Sequence, residues 1–104
     1  MLKVGDRAPD FTGVEQNGKT LRLADLKGSK VVLYFYPKDM TPGCTVEACA
    51  FREGHGAIKK RGAVVLGVSK DGAASHKKFA EKYSLPFPLI ADESGDIVKA
   101  YGAW

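Results

Sequence analysis

The chain has 104 residues, 44% of them hydrophobic and 27% charged, which fits one small globular domain (residues 1–104) and excludes a disordered or fibrous class. Sixteen Lys and Arg against 12 Asp and Glu leave a net charge of +4, but the basic residues are scattered; Lys59-Lys60-Arg61 and Lys77-Lys78 read as solvated helix faces, and no nucleic-acid partner is expected. No charged start runs into an apolar stretch, and the longest apolar run, Val31 to Tyr36, is far short of the roughly 20 residues of a membrane span, so the expectation is a soluble cytoplasmic protein with no membrane partner.

In chain order, Val14 to Leu23 brackets Asn17-Gly18, a dipeptide suited to the positive φ angles of a tight turn, and predicts a small hairpin. Lys30 to Tyr36 is a continuous β-branched and aromatic run, the pattern of a strand buried on both faces, and Pro37 ends it. The pattern turns helical from about Thr45 to Arg61 and closes at Gly62; Ala63 to Ser69 is then a second buried strand, completing a β-α-β unit. A helix is expected around Ser75 to Tyr83, a short strand at Leu89-Ile90-Ala91 and a last helical turn from Asp96 to Tyr101. Strands alternating with helices predict an α/β sandwich on a largely parallel sheet. Ligand sites in such sheets lie beyond the carboxyl ends of the strands, which directs attention to the loop from Pro37 to Cys44.

Two cysteines with four residues between them make a poor structural staple, because so short a loop removes little entropy from the unfolded chain; redox chemistry or metal binding suits them better. Cys44 sits where Pro37-Lys38-Asp39-Met40-Thr41-Pro42-Gly43 feeds into the helix. A thiolate there faces unpaired backbone N–H groups and the positive end of the helix dipole, which favour the reactive anion. Thr41, three residues upstream, has a hydroxyl able to bond a thiolate or a peroxide oxygen, or simply to brace the turn before Pro42. Pro37 terminates the strand and can also serve as a rigid wall shielding Cys44.

Cys49 matters for its geometry. Residues five apart on an ideal helix lie about 8–9 Å between Cα atoms, whereas a disulfide spans about 4.4–6.8 Å. The two sulfurs therefore cannot join while the helix is intact, and a disulfide between them requires the first turns to unwind. Gly54 and Gly56, each unfavourable in a helix by about 1 kcal/mol relative to Ala, make loosening cheaper.

These residues resemble the peroxiredoxins, specifically the bacterioferritin comigratory protein (Q-type) class. The resemblance rests on Gly5-Asp6-Arg7-Ala8-Pro9-Asp10-Phe11, on Tyr34 to Cys44 and on Thr45-Val46-Glu47-Ala48-Cys49, and it runs from Gly5 to Trp104. The family's proline, threonine and cysteine at spacings of four and three fall on Pro37, Thr41 and Cys44, and a resolving cysteine five residues on falls on Cys49. The resemblance implies a thioredoxin-like fold and reduction of hydrogen peroxide or alkyl hydroperoxides without metal, haem or flavin. Cys44 would become a sulfenic acid that condenses with Cys49, and thioredoxin or a similar dithiol donor would reduce the disulfide.

The pattern also departs from the family. Members continue past the segment matching Tyr101 to Trp104 with a strand pair and a C-terminal helix, and the first of those strands carries an arginine that stabilises the thiolate and the peroxide. None of Arg7, Arg22, Arg52 and Arg61 matches that position; Arg52, eight residues beyond Cys44, stands about 12 Å away along a straight helix. The chain reads as C-terminally truncated, with two expected consequences: weakened peroxidase activity, and an open edge on the Val31 to Tyr36 strand through which a normally monomeric family member could associate.

Three other readings compete. A thioredoxin-like disulfide reductase ordinarily uses Cys-x-x-Cys, a closer spacing than Cys44 and Cys49. A metal module would need Cys44, Cys49, His55 and His76, but the histidines are twenty-one residues apart with no second close pair, and surface histidines are the plainer account. The third is a non-catalytic or weakly active fragment serving as redox sensor or interaction scaffold.

Overall fold

The computed structural model describes residues 2–103, and Trp104, at the end of the matched segment, lies outside them. Strand β1 (Thr12–Glu15) turns into β2 (Thr20–Arg22), a 3-10 turn follows at Leu23–Leu26, and β3 (Lys30–Phe35) leads to helix α1 (Pro42–Lys60). Strand β4 (Ala63–Ser69), helix α2 (Ala73–Tyr83), strand β5 (Leu89–Ala91) and helix α3 (Asp96–Tyr101) complete the chain. The strands form one sheet in the order β2-β1-β5-β4-β3.

The sheet is mixed, not largely parallel as its strand-helix alternation suggests. β3 and β5 flank β4 in parallel, while the N-terminal hairpin joins antiparallel, β1 against both β2 and β5. A hairpin with no crossover helix of its own can add to the sheet only through antiparallel pairing between its two strands. Its turn also differs from the expected two-residue form. Gly18 N–H donates to Glu15 O and Glu15 N–H to Lys19 O, both at 2.9 Å. Gly18 alone takes a positive φ, 81°, the arrangement of a three-residue loop in which one left-handed glycine suffices.

Period-two alternation divides each central strand between two layers. Val32, Tyr34 and Tyr36 face α1 and α2 together with Val65, Phe79, Phe87 and Leu89. Val31, Leu33 and Phe35 face the opposite layer with Phe11, Leu66, Val68, Ile90 and Ile97. The result is the α/β sandwich expected. β4, paired on both sides, buries Val65 to Ser69. β3 pairs only with β4 among the described residues, and its Val31 to Phe35 are half-buried instead of sequestered on both faces. An unpaired edge leaves one flank of every side chain without a neighbouring strand.

α1 starts earlier than its periodicity indicates because Pro42, with φ already set for a helix and no N–H to leave unpaired, is suited to the first position. It ends after Lys59 and Lys60 at Gly62, which adopts φ 74° and returns its N–H to Lys59 O.

One glycine is required by close packing. A Cβ on Gly67, in the middle of β4, would stand 2.9 Å from Tyr34 Cζ and Oη and 2.9 Å from Leu89 Cδ2. Gly67→Ala is expected to destabilise the protein by about 1–3 kcal/mol through overpacking, measured as a lower urea midpoint at unchanged slope; a midpoint equal to wild type would show that the Tyr34 ring yields freely.

Candidate active site

The segment that leaves β3 is drawn into a tight loop before α1. Met40 takes a left-handed backbone (φ 66°), uncommon for a residue with a side chain. Thr41 returns to extended geometry (φ −76°, ψ 150°) as the residue preceding the helix. Its hydroxyl donates to Lys38 O at 3.1 Å, so it braces the loop and caps no helix amide. Thr45 N–H is bonded to Thr41 O at 2.9 Å. The amides of Gly43 and Cys44 precede that bond and have no carbonyl four residues back within the helix. Cys44, the third helical residue, is 8% exposed and packs in the layer formed by Tyr36, Ala48, Val65 and Phe79. Cys49 is half-buried on the same uninterrupted helix, and both thiols are free.

Pro37 is exposed and lies on a groove of about 430 Å³ lined by Phe35, Tyr36, Pro37, Lys70, Val98 and Ala103. Cys44 is not among those residues. The structure thus brings Thr41 and Cys44 to the loop-helix junction, sets Cys49 further along the helix, and leaves Pro37 at the strand end.

A buried polar network fixes the same loop. Asp39, 5% exposed, accepts from Tyr36 Oη at 2.6 Å and from Ser75 Oγ at 2.8 Å, and its Oδ2 lies 2.7 Å from His76 Nδ1. The Asp39 N–H donates to Asp71 Oδ2 at 2.6 Å. His76 is fully buried, with Nε2 3.0 Å from Ile90 O. A carbonyl only accepts, so Nε2 donates. Burial works to raise the Asp39 carboxyl, but the bonds from His76, Tyr36 and Ser75 outweigh it and hold the group below its ordinary 3.8. His76 Nδ1 and Asp39 Oδ2 are thus joined by a buried hydrogen bond. Tyr36 is pushed far up, by burial first and then by its bond to Asp39, and remains a donor.

This placement overturns the reading of His76 as a surface histidine, and the metal set Cys44, Cys49, His55 and His76 is not assembled. Among the described residues, ligand atoms of Asp39, Asp71 and His76 lie within 4.8 Å of one another. The 2.7 Å contact between His76 Nδ1 and Asp39 is a hydrogen bond and leaves no space for an ion between them.

Residues 4–104 match the family model described as AhpC/TSA family. The chain belongs to the AhpC/TSA family, on its peroxiredoxin Q branch. It is 47% identical over 103 residues to peroxiredoxin Bcp of Bacillus subtilis, covering 99% of this chain and 66% of that protein. It is 55% identical over 98 residues to the chloroplastic peroxiredoxin Q of Triticum aestivum, covering 94% of this chain and 45% of that one. The crystal structure of peroxidoxin BcpB from Mycobacterium tuberculosis superposes with a TM-score of 0.94 at 39% identity, over 98% of this chain and 67% of that one. The chain therefore spans from under half to about two thirds of the length of these relatives, and its fold is the thioredoxin-like fold of peroxiredoxins.

In this peroxiredoxin chain Arg52 is engaged away from Cys44: Nη1 donates to Tyr83 O at 2.7 Å and Nη2 pairs with Glu53 at 2.8 Å. Arg22 pairs at the surface with Asp25. The network around Asp39 was the part of the site that sequence reasoning missed, although a signal existed. His76, Phe79, Ala80 and Tyr83 recur at i, i+3, i+4 and i+7, which places His76 on the apolar stripe of α2.

Replacing His76 by Leu removes one donor from the buried Asp39 carboxyl and is expected to cost about 1–3 kcal/mol, whereas His76→Leu combined with Asp39→Ala costs clearly less than the sum of the two single changes. Urea unfolding of the four proteins checks this, and strict additivity would exclude the pairing. Because Asp39 is lowered, its contribution is complete above the unfolded value of 3.8 and disappears as pH falls through the lower folded value. Acid unfolding below that pH is expected to be shallower in Asp39→Asn than in wild type.

Proposed function

We propose that this chain is a thiol-dependent peroxidase. The Cys44 thiolate attacks the O–O bond of hydrogen peroxide or an alkyl hydroperoxide, the distal oxygen leaves as water or alcohol, and Cys44 becomes a sulfenic acid. The Cys49 thiol displaces that oxygen as water, giving an intramolecular disulfide, and thioredoxin or a similar dithiol reduces it by exchange. The observation that carries this reading is Cys44 in the first turn of a 19-residue helix, behind Thr41 and Pro37, with Cys49 five residues on along the same helix. Membership of a family whose named relatives are peroxiredoxins supports it.

In this reading Thr41 holds the loop while keeping acceptor lone pairs for the substrate side, and Pro37 limits how the loop can move. No helix among the described residues is long and apolar enough to cross a membrane. A cytoplasmic setting suits two free cysteines that must be re-reduced each cycle. Self-association through the edge of β3 left unpaired among the described residues is the expected departure from a monomer, and sedimentation at increasing concentration tests it, a constant monomer mass excluding it.

One equivalent of hydrogen peroxide is expected to remove both thiols of the wild-type protein, two per chain, as an intramolecular disulfide. In Cys49→Ser it leaves a sulfenic acid on Cys44 that a carbon acid traps, and in Cys44→Ser the Cys49 thiol persists. Far-UV circular dichroism should show helix lost on oxidation of wild type but not of Cys49→Ser. Oxidation of Cys44 no faster than that of an ordinary exposed thiol would sink the enzyme and favour a redox sensor or interaction scaffold.

A further inference from the structure

We propose that Arg52 is a positioning residue for closure of the Cys44–Cys49 disulfide: it pins the Cys49 end of the opening segment to α2 and keeps a guanidinium near the Cys49 sulfur. The inference rests on the peroxidase reading and concerns only its second step. In that step the Cys49 thiolate attacks the Cys44 sulfur, the S–S bond forms as the S–O bond breaks, and the departing hydroxide leaves as water on taking a proton.

Arg52 stands three residues beyond Cys49, the spacing at which helical side chains are neighbours on one face. Its Nη1 donates to Tyr83 O at 2.7 Å. Tyr83 is the last residue of α2, so that carbonyl is one of the four without an intrahelical partner and lies at the negative end of the helix. Nη2 is held by Glu53 at 2.8 Å. The guanidinium is thereby fixed from two sides while resting on a helix other than its own. It is held above its ordinary value first by the bond to Glu53 and next by Coulombic interaction with Cys49.

The contacts that hold α1 change in kind after Cys49. Its buried residues, Cys44 and Ala48, are small and lie before that point, where Val46 is 71% exposed. Phe51 then stacks on Tyr34 at 4.6 Å between ring centroids, and Arg52 is tied to α2. An opening that starts at the loop therefore meets its first pair of adjacent anchors just after Cys49. Cys44 is the cysteine that travels, and Cys49 stays with the anchored part of the helix.

The test separates two rates in the full chain: oxidation of Cys44 by hydrogen peroxide, and disappearance of the sulfenic acid as the disulfide closes. R52M is expected to slow closure about tenfold, the loss of a charged hydrogen bond, while Cys44 oxidation stays within about twofold of wild type. R52K, which keeps the charge, is expected to restore most of the closure rate, and R52Q to close more slowly than R52K. Closure by R52M at the wild-type rate across about pH 6 to 9, where thiols titrate, would overturn the proposal.

Should R52M not fold, the comparison of R52Q with R52K decides, equal rates counting against it. If peroxide fails to oxidise Cys44 in any variant, the peroxidase reading fails separately. Closure is then started with an aromatic disulfide, and release of the second aryl thiolate reports the same ring closure and the same order of variants.

Discussion

Two sulfurs carried five residues apart on one intact helix cannot meet, and the structure is organised around that constraint. The helix must be whole for Cys44 to occupy its first turn, where unpaired amides converge, and it must open for Cys44 to reach Cys49. A rigid scaffold would forbid the second state, and a loose one would lose the first. What resolves the conflict is the kind of anchor: from Pro42 to Ala50 the buried side chains are the small Cys44 and Ala48, while beyond it the partly buried Phe51 stacks on Tyr34 and Arg52 bonds to Tyr83 O.

Before the segment, the hold is polar. Asp39 gathers donors from Tyr36, just past β3, and from Ser75 and His76 in the first turn of α2, and its amide is bonded to Asp71, just past β4. A buried hydrogen-bonded cluster of this kind is directional, and direction is what a loop needs to present a cysteine reproducibly. After the segment, the hold is packing joined to one cross-helix hydrogen bond, through Phe51, Ile58 and Arg52. Gly54 and Gly56 weaken the intrinsic helix propensity of that later half, and no packing demand explains Gly56, whose Cβ would meet nothing within 4 Å. The half of α1 that stays closed is thus kept so by tertiary contacts and not by local preference.

Much of this was legible in the sequence because the hydrophobic pattern and its punctuation agree. Ala63 to Ser69, Leu89 to Ala91 and Asp96 to Tyr101 form the expected elements at the expected residues. Pro37, Thr41 and Cys44 were singled out together by their resemblance to the family's motif. Less legible was whatever depends on which strands become neighbours. Lys30 to Phe35 reads like a central strand because aromatic and β-branched side chains suit either place, and only pairing reveals it as an edge. The sign of each strand pairing is likewise absent from a one-dimensional pattern. Asp39 and His76 lie thirty-seven residues apart, and each looks like a surface polar residue until the sheet brings the loop after β3 against the start of α2.

The edge position of β3 and the polar network are connected. A loop that issues from a central strand inherits hydrogen-bonding neighbours on both sides, whereas the loop after β3 has β4 on one side only among the described residues. Tyr36 N–H reaches Val68 O at 3.0 Å, and past that point Thr41 supports the loop through its bond to Lys38 O. The side chains of Asp71, Tyr36, Ser75 and His76 converge on Asp39, midway along the loop, where a second flanking strand would otherwise supply support. Unlike a ladder, they grip a single residue and leave Met40 and the helix start beyond it free of any flanking strand. The chemistry proposed for Cys44 requires that combination: a loop fixed at its base, feeding a helix whose first turns can let go.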